Sequence, residues 1–267
     1  GTITGTTPQT ISYGSSATQV TATPNTGYHF LNWSDNVSNP IRTDSNVTQN
    51  ISVTANFEKD TKTVVYTAGS GGTITGTASQ IVNYNDSATS VTATANSNYH
   101  FVSWSDGVLT ATRTDRNVTT SISVTATFAL DTRTVTYSIS GNGSLTGTAT
   151  QVVNYGANTT SITVVPNSGY RFSKWIDGST SNPRTDSNVT TDISVTAQIV
   201  GDTITVTYNT NGGSPAPSAT QFLYGSGPVT LNNGSGLTKS NYSFGGWTTT
   251  VNDSSTLISS YNGKIGR

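Results

Sequence analysis

Trp33, Trp104 and Trp175 stand 71 residues apart, and Trp247 follows after 72. Tyr13, Tyr84 and Tyr155 keep the same interval, as do Arg42, Arg113 and Arg184, and Gly5, Gly76 and Gly147. A period this long exceeds the coil of a solenoid and equals the length of a small domain that folds alone. The 267 residues therefore divide into four units, at 1–60, 61–131, 132–202 and 203–267. The first lacks the opening segment that reads TVVY in the second and TVTY in the third. The fourth stops before a closing segment like ISVTATF, so both ends read as cuts through a repeat. The joints FEKDTKTV, FALDTRTV and QIVGDTITV are short, and each holds one aspartate (Asp60, Asp131, Asp202). Short joints restrict rotation, so a stiff rod of beads is expected.

Within each unit the pattern is that of strands. Ile122, Val124, Ala126 and Phe128 alternate with Ser123, Thr125 and Thr127, a period of two with one face buried. Ile51 to Phe57 and Ile193 to Ile199 repeat it. The opening strands turn Val64 and Tyr66, Val135 and Tyr137, and Val206 and Tyr208 inward. Further strands are expected around Ile74, from Ile81 to Tyr84, at Val91 and Ala93, and from Phe101 to Trp104. Gly- and Asn-rich turns at 69–72, 85–86, 96–98, 106–107 and 115–117 separate them. Serine, threonine and asparagine compete with a helical backbone for hydrogen bonds, and the threonines favour strands. The fold class is all-β, with little or no helix.

Composition narrows the function. Hydrophobic residues are 32% and charged residues 9%, with a net charge of −1 and a single glutamate, Glu58. A chain with 12 basic residues lacks the electrostatic footprint of a nucleic-acid binder. No apolar run approaches the ~20 residues that span a bilayer. The absence of cysteine excludes disulfides and thiolate chemistry. With no methionine either, the most oxidisable side chains are missing, which suits an extracellular setting.

The Tyr-x-Phe-x-x-Trp core occurs as Tyr28, Phe30 and Trp33, as Tyr99, Phe101 and Trp104, as Tyr170, Phe172 and Trp175, and in the fourth unit as Tyr242, Phe244 and Trp247. With its ITVTYNTNGG start, Tyr224-Gly225 and FGGW, the fourth unit resembles a Listeria–Bacteroides repeat of the internalin B-repeat type. The first three resemble divergent members of that group, so the resemblance spans the whole chain. It implies β-grasp-like modules strung in tandem in bacterial surface and secreted proteins, where they serve as spacers or adhesive stalks.

Candidate chemistry is sparse. His29 and His100 hold equivalent positions taken by Arg171 and Ser243 elsewhere, so they read as exposed surface residues and not as catalysts. Asp35, Asp106 and Asp177 follow each tryptophan by two, and Asp44, Asp115 and Asp186 follow each arginine by two. Carboxylate pairs serve glycoside hydrolysis or calcium. Three tandem copies without calcium-loop spacing instead favour turns plus a surface Arg–Asp pair at Arg42, Arg113 and Arg184, worth about 0–1 kcal/mol. Asn46, Asn117 and Asn188 match the glycosylation triplet but read as turn residues. The tryptophans suit a minimal core; exposed, they would make an array of carbohydrate-binding modules. Lysines do not recur as a set, so isopeptide links in every unit are not expected.

No catalytic, cofactor-binding or metal-binding residue is nominated, and no cofactor is expected. The expected role is a non-catalytic extracellular stalk, spacer or filament component at a bacterial cell surface. Its expected partners are a glycan or protein of the host or cell surface, or a second copy meeting it through unguarded sheet edges. Nucleic acid and membrane insertion are not expected. Strand exchange between the two incomplete end units is a further expectation.

Overall fold

The computed structural model describes residues 1–227 and 229–248, and the backbone of 260–261. The chain forms two compact units, Gly1–Asp131 and Thr132–Arg267. All the regular structure described is strand, as the threonine-rich alternation requires.

In the first repeat the strands are β1 (Thr2–Thr4), β2 (Val20–Thr23), β3 (Tyr28–Trp33), β4 (Ile41–Arg42) and β5 (Ala55–Lys59). The second has β6 (Thr61–Ala68), β7 (Gly72–Thr75), β8 (Ser79–Asn83), β9 (Val91–Ala95), β10 (Tyr99–Trp104), β11 (Thr112–Arg113) and β12 (Ile122–Leu130). The third has β13 (Thr132–Ser140), β14 (Gly143–Thr146), β15 (Thr150–Asn154), β16 (Thr163–Pro166), β17 (Tyr170–Trp175) and β18 (Ile193–Gly201). The fourth has β19 (Thr203–Val206), β20 (Thr220–Leu223), β21 (Val229–Thr230) and β22 (Ser260–Tyr261).

The second repeat displays the complete plan. One sheet runs β10-β12-β6-β8, with β6 parallel to β12 and antiparallel to β8. A smaller sheet, β11-β9-β7, packs with it, and no helix crosses either sheet among the described residues. Val64, Tyr66, Val91, Ala93, Trp104, Val124 and Ala126 are all buried between them. The third repeat repeats the plan as β15-β13-β18-β17 with β14-β16, around Val135, Tyr137, Ile162, Trp175, Val195 and Ala197. These are two separate cores, one in each compact unit. In the first repeat β5 pairs only with β3, and residues 51–54 and 9–12 form no strand. The expected missing closing strand of the fourth repeat falls on 249–267, which lie outside the described residues except for the backbone of 260–261.

The Phe-x-x-Trp spacing has a geometric cause that alternation alone does not supply. Residues three apart on a regular strand face opposite sides. The β3–β5 register slips between Phe30 and Asn32, β10–β12 slips between Phe101 and Ser103, and β17–β18 slips between Phe172 and Lys174. Each slip is a β-bulge, which adds one residue and returns the tryptophan to the phenylalanine's face. Phe30 and Trp33 consequently meet edge to face at 5.8 Å, and Phe172 and Trp175 at 5.9 Å. Burying one such indole removes roughly 150–250 Å² from water, about 4–6 kcal/mol before the entropy of ordering it.

Candidate functional site

The residues that the sequence singles out gather at two recurring places, one inside each repeat and one at its end. The inner place begins with the tryptophan. Trp33, Trp104 and Trp175 are 3%, 1% and 0% exposed. Each indole N–H donates to a backbone carbonyl six residues on, at Asn39, Thr110 and Ser181, at 2.9–3.1 Å. An indole held this way presents no face for stacking on a sugar. The carbohydrate-binding alternative, which requires these three to be exposed, is therefore corrected by their burial.

Against each indole lies an arginine. The guanidinium carbons of Arg42, Arg113 and Arg184 sit 5.5, 5.1 and 5.1 Å from the ring centroids. Two aspartates hold each guanidinium. Arg113 donates Nη1 and Nη2 to Asp106 at 3.0 and 2.9 Å, and Nε and Nη2 to Asp115 at 3.0 and 2.6 Å. Arg42 bridges Asp35 and Asp44 in the same manner. Arg184 donates to Asp186 and pairs with Asp177 at 2.7 Å. These arginines are only 7–9% exposed. The expectation of a surface pair is thus corrected: the clamp is largely buried and covers the tryptophan.

Burial and pairing set the proton affinities. Burial alone would raise Asp115, but Arg113 and the Tyr66 hydroxyl outweigh it and hold the carboxyl below 3.8. The hydrogen bond from Arg184 lowers Asp186 against an opposing contribution from burial, and Tyr137 adds to the lowering. Burial, followed by the bond to Asp186, pushes the Tyr137 phenol up to about 12. Carboxylates so fully engaged and kept so acidic are poorly placed to shuttle protons near neutral pH. No three His, Asp or Glu side chains among the described residues are grouped so as to hold a metal ion. Asn46, Asn117 and Asn188 adopt left-handed φ of 50°, 52° and 50°, the turn role expected of them.

The second place is the joint. Alternation puts His29 and His100 on the outer face, and their side chains are 52% and 55% exposed. What the sequence reading missed is their partner. Nδ1 of His29 lies 3.1 Å from Asp60 Oδ1, and Nδ1 of His100 lies 3.1 Å from Asp131 Oδ1. A carboxylate only accepts, so Nδ1 carries the proton. Arg171, in the third repeat, pairs with Asp202 at 4.0 Å. The exchange of histidine for arginine therefore preserves a donor to the joint aspartate. A constant separation of 31 residues between the two was the available signal.

The joint aspartate also links neighbouring repeats through its backbone. Asp60 N–H donates to Gly27 O at 2.9 Å, and its carbonyl accepts from Tyr84 N–H at 2.7 Å. Asp202 makes the same two bonds, with Gly169 O and Tyr224 N–H, at 2.9 and 2.8 Å. The Tyr84 ring lies over Gly27, whose φ of 78° suits glycine. Tyr224 covers Gly169 and meets Tyr170 edge to face at 5.3 Å. Lys59 Nζ reaches Asp86 Oδ1 across the first joint at 2.6 Å.

A glutamine clasp also went unread, although Gln9, Gln80 and Gln151 keep the 71-residue interval. The Gln80 side chain, 8% exposed, donates to the carbonyls of Thr77 and Thr89 and accepts from Thr89 N–H and its hydroxyl. Gln151 repeats this with Thr148 and Thr160.

Comparison with known families gives a consistent result. The family model for the divergent InlB B-repeat domain matches residues 1–61, 62–132 and 133–199. That for the Listeria–Bacteroides repeat domain matches residues 205–264. Neither the comparison with curated proteins nor that with solved structures found a match.

Proposed function

This chain belongs to the divergent InlB B-repeat family, and from that premise we propose that it is a non-catalytic spacer in a bacterial extracellular protein, holding another domain away from the cell surface. The observation that carries the reading is the joint at Asp60, made again at Asp202. One residue bonds through its backbone to a turn of the repeat before it and to a strand end of the repeat after it, while a tyrosine ring seals the turn. Such a joint resists bending because rotation would break two backbone hydrogen bonds and uncover an aromatic ring. The inner clamp supports the same reading, since its carboxylates are spent on holding Arg113 and Arg184 over the indoles. A low charge density limits non-specific ionic attraction along the surface.

Small-angle scattering on the chain, with negative-stain imaging, tests the proposal. A spacer gives an elongated particle with a narrow spread of lengths. A single round particle, or turnover of any substrate in a hydrolase panel lost on mutating Asp106, would overturn it.

A further inference from the structure

The first repeat contains a vacant slot one strand wide, and the other repeats show what fits it. In the second repeat β6 lies between β12 and β8, parallel to one and antiparallel to the other. Its Val64 and Tyr66 are 0% and 2% exposed, and the Tyr66 ring meets Trp104 at 5.8 Å. β13 does the same in the third repeat with Val135 and Tyr137. The first repeat retains both walls of this slot without the strand between them. Residues 51–54 correspond to the start of β12, and 9–12 to most of β8, yet neither segment is paired into a sheet.

The consequences appear along the walls. Ile51 is 46% exposed, and Val53, Ala55 and Phe57 are half-buried, whereas Val124, Ala126 and Phe128 are 5%, 0% and 9% exposed. Between the walls runs a groove of about 900 Å³, with Trp33 and Arg42 on its lining. Asp44 borders it too. Its counterparts Asp115 and Asp186 each accept a tyrosine hydroxyl at 2.6 Å, while Asp44 has its bonds from Arg42 and receives no phenol. The slot therefore offers two open backbone edges, an apolar floor and one acceptor placed for a tyrosine. A helix would leave the edges unpaired, whereas one extended strand pairs both.

We propose that this groove is a docking site for an extended strand with the pattern Val-x-Tyr, supplied by a second polypeptide carrying the same repeat. The strand enters parallel to 51–55, with its valine beside Ile51 and its tyrosine beside Val53, following the Val64–Ile122 and Tyr66–Val124 register of the second repeat. Its hydroxyl reaches Asp44. This goes beyond a spacer role, since it joins one chain to another end to end.

The test uses the intact chain and a synthetic peptide carrying residues 61–68 (TKTVVYTA) between flanking lysines. Amide chemical shifts and calorimetry report binding. The expected result is saturable one-to-one binding, with shift changes concentrated at 9–12 and 51–57 and new protection from hydrogen exchange there. A peptide with Tyr66→Phe binds about tenfold more weakly, the loss of one hydrogen bond to a charged acceptor. A peptide with Val64→Ser and Tyr66→Ser does not bind. No saturable binding overturns the proposal, as does equal binding of all three peptides or shift changes away from the two walls. Because every substitution lies in the peptide, folding of the chain is not at issue.

Discussion

The phenol oxygen of Tyr66 lies 2.6 Å from Asp115 Oδ2, although 49 residues separate them. This bond ties the opening strand of the second repeat to the turn before its closing strand, with Arg113 held on the same carboxylate. Tyr137 and Asp186 make the same bond at 2.6 Å in the third repeat. Removing the hydroxyl leaves a part-buried carboxylate short of one donor. Tyr137→Phe should destabilise its compact unit by about 1.5–3 kcal/mol in urea unfolding, with the slope unchanged. An effect below a few tenths would mean that water replaces the phenol at no cost.

Arg113 should matter more than any single tyrosine. Arg113→Ala leaves Asp106 and Asp115 facing each other and uncovers Trp104, so a loss of about 2–4 kcal/mol is expected, discounted for the partial exposure of Asp106. Arg113→Lys should recover less than half of it, because an ammonium cannot fork to two carboxylates while lying flat on an indole. Full recovery by lysine would show that charge alone suffices.

Stability should fall at both ends of the pH scale. Asp115 and Asp186 are depressed below 3.8 in the folded chain, so their contribution is complete above that value and disappears as pH drops through the folded pKa. Tyr137 is raised from 10.0 to about 12, so its contribution is complete below 10.0 and disappears as pH rises toward 12. Thermal unfolding across pH should show a plateau between these limits. Asp186→Asn should lower the plateau and flatten the acid slope, and a slope left unchanged would place the acid sensitivity elsewhere.

Gln80 is a small residue class with a large expected effect. Gln80→Ala deletes four hydrogen bonds and leaves Thr77 and Thr89 backbone groups partly buried without partners. A loss of about 1–3 kcal/mol is expected. Gln80→Glu keeps the acceptor but cannot donate, and should recover only part. Hydrogen exchange at Thr89 N–H gives a local readout.

The joint should loosen when its glycine changes. A Cβ at Gly27 would run into the Tyr84 ring, and φ of 78° is already costly for alanine. Gly27→Ala should cost about 1 kcal/mol or more, displace Tyr84 and increase the motion of residues 1–60 relative to 61–131 in amide relaxation. Asn98 takes the equivalent position at φ of 64°, so Gly27→Asn should be milder in the backbone while still disturbing the ring. Identical relaxation in Gly27→Ala and the parent chain would exclude a mechanical role for this contact.

The alternation from Ile122 to Phe128 and the repeating tryptophan were enough to read an all-β array and its inward faces, because both signals are local or strictly periodic. The bulge after Phe101 was not read, since a register slip depends on the partner strand. Arg113 was taken for a surface residue because its own neighbours Thr112 and Thr114 are polar; its burial comes from Trp104, Tyr66 and Asp106, brought together only by folding. His100 looked replaceable when judged at its own position. Its function becomes visible only beside Asp131, to which arginine in the third repeat offers the same kind of donor.

Every residue that builds the joint at Asp60 sits at a position that recurs: the turn residue at 27, 98 and 169, and the aspartate at 60, 131 and 202. Each copy thus carries both halves of its own coupling, much as a railway wagon carries a hook in front and a ring behind. Gene duplication of one such length adds reach without any adaptor having to evolve, and deletion of one shortens the train without derailing it. Reach becomes a whole-number trait, adjustable by recombination alone.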